Sequence, residues 1–349
     1  MKLTYSRYAL NFKVPGGTSR GILHQKETFF LKLESDDKTG LGECGLFRGL
    51  SHDDRPDYES KLIWLSRNLD NDLEWLKSQL EEYPSILFGL EQAFLSLEQS
   101  SSFELFPSKF TRGQDAIPIN GLIWMGDKGY MQQQIREKLE SGFDVIKLKV
   151  GAIDFQTELD LLKSIREQFP EDEIEIRVDA NGAFEPSEAL EKLKHLSDYS
   201  IHSIEQPIRQ GQIESMAELC RLSPIPIALD EELIGLTRAG LREELLNNVK
   251  PAYLIFKPSL IGGMAVCDHW IDLCKRHDIG WWITSALESN IGLNAIAQYT
   301  YTLCNPMPQG LGTGGLFTNN IASPLRVERG ALRYDPESKW GETTRLFRE

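Results

Sequence analysis

Val145-Ile146-Lys147-Leu148-Lys149-Val150 and its successor Ile174-Glu175-Ile176-Arg177-Val178-Asp179 are the stretches on which the fold reading turns. Each is a mostly apolar run of strand length. Each is followed by a helical pattern, Phe155–Gln168 after the first and Pro186–Leu196 after the second. Alternation puts Lys147 and Lys149 on one strand face. Taken alone, such a pair marks a solvated edge strand. The neighbours Val145, Ile146, Leu148 and Val150 are too apolar for an exposed strand, which favours a functional reading of the two lysines.

Working outward, the same unit recurs. Ile117–Trp124 reads as a strand before the helix Lys128–Glu140. His202–Glu205 precedes Ile213–Leu222, and Pro226–Asp230 precedes Leu236–Leu246. Ala252–Lys257 precedes Gly263–Arg276, and Gly280–Thr284 precedes Ile291–Leu303. Strands alternating with helices require parallel pairing through crossovers. About seven such units fit a closed β/α barrel better than an open sheet. A doubly wound sheet is the alternative that periodicity leaves open.

The first third has a different texture. Residues 3–13 and 27–34 alternate or run apolar, as strands do, around a turn at Gly16-Gly17, and Gly40, Gly42 and Gly45 mark another loop. From Pro56 to Leu97 the pattern is helical, with Leu87, Leu90, Phe94 and Leu97 at three- and four-residue spacing. An α+β domain over 1–115 and a barrel over 116–320 are therefore expected. Leu325–Tyr334, with its Arg-Gly turn, reads as a hairpin outside the barrel.

A chain of 349 residues with 41% hydrophobic and 26% charged residues is a soluble globular class and exceeds one minimal domain. Its net charge of −14 repels nucleic acid and anionic membranes, so neither is expected as a partner. A local cluster of Lys with a metal can still hold an anionic small molecule. The five Cys form no CxxC pair, which argues against a disulfide framework or a zinc ribbon. The N-terminus has no apolar signal core, and no run of about 18 apolar residues occurs. A cytoplasmic location is expected, and nothing in the sequence sets an oligomeric state.

Barrel enzymes place their sites where strands end. The charged residues there are Lys147 and Lys149, then Asp179, Glu205, Asp230 and Lys257. From Lys149 onward the steps are 30, 26, 25 and 27 residues, each about one βα unit. Individually these residues have ordinary explanations. Asp179-Ala180-Asn181-Gly182 can be a turn, Glu205-Gln206-Pro207 a strand end, and Asp230-Glu231-Glu232 an acidic helix start. Jointly they deliver cation, anion, anion, anion, cation to one mouth. Three carboxylates without His or Cys suit a hard cation, Mg²⁺ best. A Lys beside Mg²⁺ and a second Lys can act as a base near neutral pH. Gly310-Leu311-Gly312-Thr313-Gly314-Gly315 lacks the spacing of a phosphate loop and is expected to let backbone approach a ligand. The six His show no metal-ligand spacing, and Trp281-Trp282 is expected in barrel packing.

These residues together resemble the muconate-lactonizing branch of the enolase superfamily. Lys-Leu-Lys at 147–149, Asp-Ala-Asn at 179–181, Glu-Gln-Pro at 205–207, Asp-Glu at 230–231 and Lys-Pro at 257–258 carry the resemblance, in order and spacing. Phe88-Gly89-Leu90-Glu91-Gln92-Ala93 is similar to the last helix of that family's cap. The resemblance implies a modified (β/α)₇β TIM-like barrel with an N-terminal α+β capping domain, completed by residues 321–349. It implies Asp179, Glu205 and Asp230 as ligands of Mg²⁺, or of Mn²⁺ in its place. It implies Lys149 as the base that takes a proton α to the carboxylate of a small-molecule substrate, and Lys257 as the opposing cation. Lys147 would tune Lys149 and help place the substrate, with Arg177 and Asn181 as polar support. The loop Gly16–Lys26 would close over the site.

Ile119–Met125, Ser285–Gly292 and Gly310–Gly314 resemble a dehydrating subgroup of that branch, which brings Ser285 and Gly312 to the substrate. The same lysines would equally serve an N-acylamino acid racemase or dipeptide epimerase, with Lys149 and Lys257 as opposed acid and base. A barrel that only binds is a further alternative, against which the complete set of residue types argues.

Overall fold

The computed structural model describes residues 1–18, 21–99, 101–124 and 126–347. It opens with a long hairpin: β1 (Lys2–Thr18) pairs antiparallel with β2 (Gly21–Ser35), and β3 (Lys38–Cys44) pairs with β2. Leu3, Phe29, Leu31 and Leu33 share one sheet face, which α1 (Tyr58–Arg67), α2 (Leu73–Ser78) and α3 (Pro84–Glu98) cover. A Cβ at Gly42 of β3 would lie 2.0 Å from the carbonyl oxygen of Gly89 in α3, so this helix–strand approach requires glycine. The stretch Gly16–Lys26, expected as a loop, is mostly strand. Pairing lapses after Asn11, where Pro15 has no N–H to give, and resumes at Gly16 opposite Leu23. Ser19 and Arg20 lie outside the described residues.

The expected strand Ile117–Trp124 is two elements. β4 (Ala116–Pro118) ends at a proline, and β5 (Gly121–Ile123) begins the barrel; Met125 lies outside the described residues. β6 (Val145–Lys149), β7 (Glu175–Asp179), β8 (Ile201–Glu205), β9 (Ile227–Leu229), β10 (Tyr253–Phe256) and β11 (Gly280–Ile283) follow β5 in one parallel sheet, in chain order. Parallel bridges from Gln309 to Ile119 and from Gly310 to Thr284 join its two edges. Seven strands and a short eighth segment thus close a β/α barrel, which excludes the doubly wound alternative.

The outer helices are α4 (Lys128–Glu140), α5 (Phe155–Arg166), α6 (Pro186–Ser197), α7 (Ile213–Leu222), α8 (Ala239–Val249), the short α9 (Pro258–Ile261), α10 (Met264–His277) and α11 (Asn290–Thr302). Asp127 and Asp154 start α4 and α5 by accepting the N–H groups of Tyr130 and Thr157. α8 begins three residues later than expected. A 3₁₀ turn, Glu231–Leu233, follows β9, and the Arg242 guanidinium engages the carbonyls of Leu236 and Thr237. β12 (Leu325–Glu328) and β13 (Ala331–Tyr334) form the expected hairpin, and β13 pairs with β4. Beyond it the tail reaches the first domain: Trp340 stacks on Phe103 at 4.2 Å, and Leu346 packs with Phe30. No helix among the described residues is long and apolar enough to cross a membrane.

Glu91 of α3 joins cap to barrel. Its carboxylate accepts the N–H groups of Met264 (2.6 Å) and Ala265 (3.4 Å) at the start of α10. Burial pushes its pKa up to about 7; the Met264 bond and Lys77 pull it down, and Asp268 adds to the rise. A carboxyl raised on folding binds more protons folded than unfolded. Its stabilising contribution is complete below its ordinary pKa and is lost as pH rises through about 7, by at most about 3 kcal/mol. Glu91→Gln is expected to flatten this fall between pH 5 and 8. An unchanged pH profile of thermal unfolding would remove Glu91 from the account.

Candidate active site

The parallel register sets Lys149 beside Asp179 and Asp179 beside Glu205. Cross-strand neighbours in register point to one side of a sheet. Asp230 stands just past β9 and Lys257 just past β10. The five strand-end residues therefore meet at one end of the barrel. Asp179 is fully buried, and Glu205 and Asp230 are each 2% exposed.

The ammonium of Lys147 donates to Glu205 and lies 2.8 Å from Asp179 Oδ2. Lys149 donates to Asp179 Oδ2 at 2.5 Å and to Asn181 Oδ1 at 2.6 Å. Lys257 donates to Asp230. Asn181 sits in a left-handed turn (φ 44°) that turns its amide to donate to Glu231 Oε1 at 3.0 Å. Gln206, also left-handed at φ 40°, accepts the Asp230 N–H and donates to Glu232. Glu231 and Gln206 stood inside the sequence motifs without assigned roles; their place beside a strand-end carboxylate was the available signal.

Burial disfavours every charge here, and the neighbours decide the outcome. Burial alone would raise Asp179, yet Lys147 and Lys149 hold it well below the usual carboxylate range. Asp230 is likewise lowered, by Lys257. Glu205 goes the other way: burial, then Asp179 and Asp230, push it well up. For Lys147 and Lys257 burial opposes the ammonium, but the surrounding carboxylates win and raise both.

The donor set fits a hard divalent cation. Glu205 Oε1 is buried without a hydrogen-bond partner, and the three strand-end carboxylates offer oxygen alone. Among the described residues no three acidic groups already stand as a closed metal cluster, since lysine ammoniums rest on the carboxylates.

Above this layer lies a cavity of about 720 Å³. Lys147, Lys149, Asn181, Lys257, Ser285 and Gly312 all line it, as does Glu231. Ser285 and Thr313 share a hydroxyl hydrogen bond of 2.6 Å. The cap closes one side with Phe12–Gly16; of the described residues in the loop expected over the site only Gly16 lines the cavity, and Phe12–Pro15 had no assigned role in the sequence. Arg177, expected at the substrate, is not among the lining residues. Its register partner is Lys147, one layer below Lys149, and it is held there by Glu175 (2.7 Å), the Pro308 carbonyl (2.9 Å) and the face of Trp282. Trp281 packs on Phe256, whereas Trp282 also lines the cavity.

Residues 130–338 match the family described as enolase C-terminal domain-like. The chain belongs to the enolase superfamily, whose enzymes typically depend on a divalent metal. An o-succinylbenzoate synthase of Desulfotalea psychrophila is 47% identical over 95% of this chain and 98% of that one. The crystal structure of MenC from the same organism superposes with a TM-score of 0.85 at 44% identity, covering 95% of this chain and 99% of that one. An N-succinylamino acid racemase from Amycolatopsis is more distant, 28% identical over 58% of this chain and 54% of that one. Within the superfamily the chain's family is that of the o-succinylbenzoate synthases.

Proposed function

We propose that this chain dehydrates 2-succinyl-6-hydroxy-2,4-cyclohexadiene-1-carboxylate to o-succinylbenzoate, a step of menaquinone biosynthesis. The full-length identity to a synthase, joined to the ring of lysines and carboxylates, carries this reading. Lys149 removes the C1 proton, α to the ring carboxylate. Lys257 faces it from the other side of the mouth and steadies the negative charge that develops. Protonated Lys149 returns its proton to the C6 hydroxyl, the C–O bond breaks, and water leaves an aromatic ring. Lys147 and Asn181 hold the base and its carboxylate in place. Asp179, Glu205 and Asp230 would hold Mg²⁺, or Mn²⁺ in its place, which when bound supplies positive charge to the substrate carboxylate. Five free cysteines, Cys304 exposed among them, fit a cytoplasmic setting.

The test is loss of diene absorbance by the purified protein, with Mg²⁺ and with excess EDTA. Rapid loss that EDTA suppresses is expected. A folded, Mg²⁺-loaded protein that leaves the diene intact would sink the reading and turn attention to epimerisation of acylamino acids and dipeptides.

A further inference from the structure

A second buried charge cluster lies apart from the lysine–carboxylate ring, at the junction of cap and barrel. Lys26 of β2 is 4% exposed, and its Nζ is buried without a hydrogen-bond partner. Glu43, at the end of β3, and Glu288, in the loop after β11, are fully buried, and both charges act on it.

Each carboxylate organises part of the barrel. Glu43 accepts the Thr28 hydroxyl (2.9 Å), the N–H and hydroxyl of Ser289 (2.9 and 2.5 Å) and the Gly292 N–H (2.9 Å), so the cap domain holds the start of α11. Glu288 accepts the Ala286 N–H (2.7 Å) and the Ser259 hydroxyl (2.5 Å). Ser259 follows Lys257 by two residues, and Ser285, Ala286 and Leu287 form a wall of the cavity.

Two carboxylates buried together repel each other in addition to their desolvation cost, and a cation beside both offsets that repulsion. The packing has little slack to absorb an imbalance. A Cβ at Gly45 would meet Ser259 Cβ at 2.8 Å, and one at Gly292 would meet Glu43 Oε2 at 2.9 Å.

We propose that Lys26 is a positioning residue whose ammonium offsets the repulsion between Glu43 and Glu288, and so holds the Ser285–Leu287 wall and the Lys257 segment in register with the cap. Its effect on turnover rests on the synthase reading; its effect on the wall does not.

The test compares wild type, Lys26→Met and Lys26→Met/Glu288→Gln by hydrogen exchange over residues 284–293 and by kcat/KM for the diene. Methionine keeps length and removes charge. Glutamine at 288 removes the repulsion and returns the cluster to its wild-type net charge, leaving Glu43 to its own hydrogen-bond donors, while the glutamine oxygen keeps the Ala286 N–H and its amide donates to the Ser259 oxygen. At 43 the amide would oppose the Gly292 N–H. Lys26→Met is expected to speed exchange there, and to lower kcat/KM, each by roughly tenfold or more. The double variant is expected to recover both to within about threefold of wild type. A Lys26→Met protein that matches wild type overturns the proposal, as does a double variant no better than the single one. If Lys26→Met does not fold, a folded double variant supports charge balance and an unfolded one overturns it. If wild type does not consume the diene, the synthase reading fails and the exchange data alone decide the role of Lys26.

Discussion

Lys149→Ala is expected to lower kcat for dehydration of the diene by about four orders of magnitude, with the fold intact. In the proposed mechanism Lys149 acts twice, taking the C1 proton and returning it to the departing hydroxyl. Each use of a positioned acid or base contributes roughly 10²- to 10⁴-fold, and the aromatic product makes the second step the easier one. The fold survives because Asp179 keeps Lys147 at 2.8 Å, and because the alanine leaves no apolar core gap beneath it. Circular dichroism and thermal unfolding check that point. The same variant separates the two chemistries of the family. A dehydratase that loses Lys149 loses the whole reaction. An epimerase using Lys149 and Lys257 on opposite faces would keep exchange of the α-proton with heavy water for one enantiomer and lose it for the other. Residual turnover above about a hundredth of wild type would remove Lys149 from the role of base.

The strand-end residues could be read from sequence because the barrel constrains them strongly. A charged residue closing an apolar run of four or five residues, repeated once per βα unit, has few places to go except the mouth. Arg177 shows the limit of that reading. It shares a layer and a face with Lys147, and alternation treats the two alike. Lys147 bends upward to Asp179 and Glu205, whereas Glu175, the Pro308 carbonyl and Trp282 keep Arg177 down. Glu175 is a neighbour on the same strand, but the Pro308 carbonyl and Trp282, which fix the guanidinium, are distant in sequence. The cap presents the same difficulty. Phe12–Gly16 reaches the cavity because β1 loses register after Asn11, and Lys26 is buried because β3 and the loop after β11 fold over it. Neither follows from local pattern. The break between β4 and β5 was in principle legible, since Pro118 cannot donate to a parallel neighbour.

Glu205→Gln is expected to cut kcat/KM by about 10³ or more and to abolish stabilisation by Mg²⁺, yet to leave the metal-free protein no less stable than wild type. The mouth brings four acidic side chains, Asp179, Glu205, Asp230 and Glu231, against three ammoniums, from Lys147, Lys149 and Lys257. With every group ionised that leaves one uncompensated negative charge in a buried site. Glu205 bears the strain: burial and two flanking carboxylates push its pKa well up, while Asp179 and Asp230 are pulled down by their lysines. Removing the Glu205 charge therefore relieves repulsion in the metal-free protein, and removes one of the oxygen donors a divalent ion would need. In wild type, a ligand at a hundred times its Kd stabilises by about 2.7 kcal/mol, which raises the melting temperature by several degrees. Glu205→Gln should show no such shift. An equal Mg²⁺-induced shift in the variant would take Glu205 out of the metal site. A metal-free variant much less stable than wild type would mean that Glu205 serves the fold through its bond to Lys147 rather than as a charge held ready for a cation.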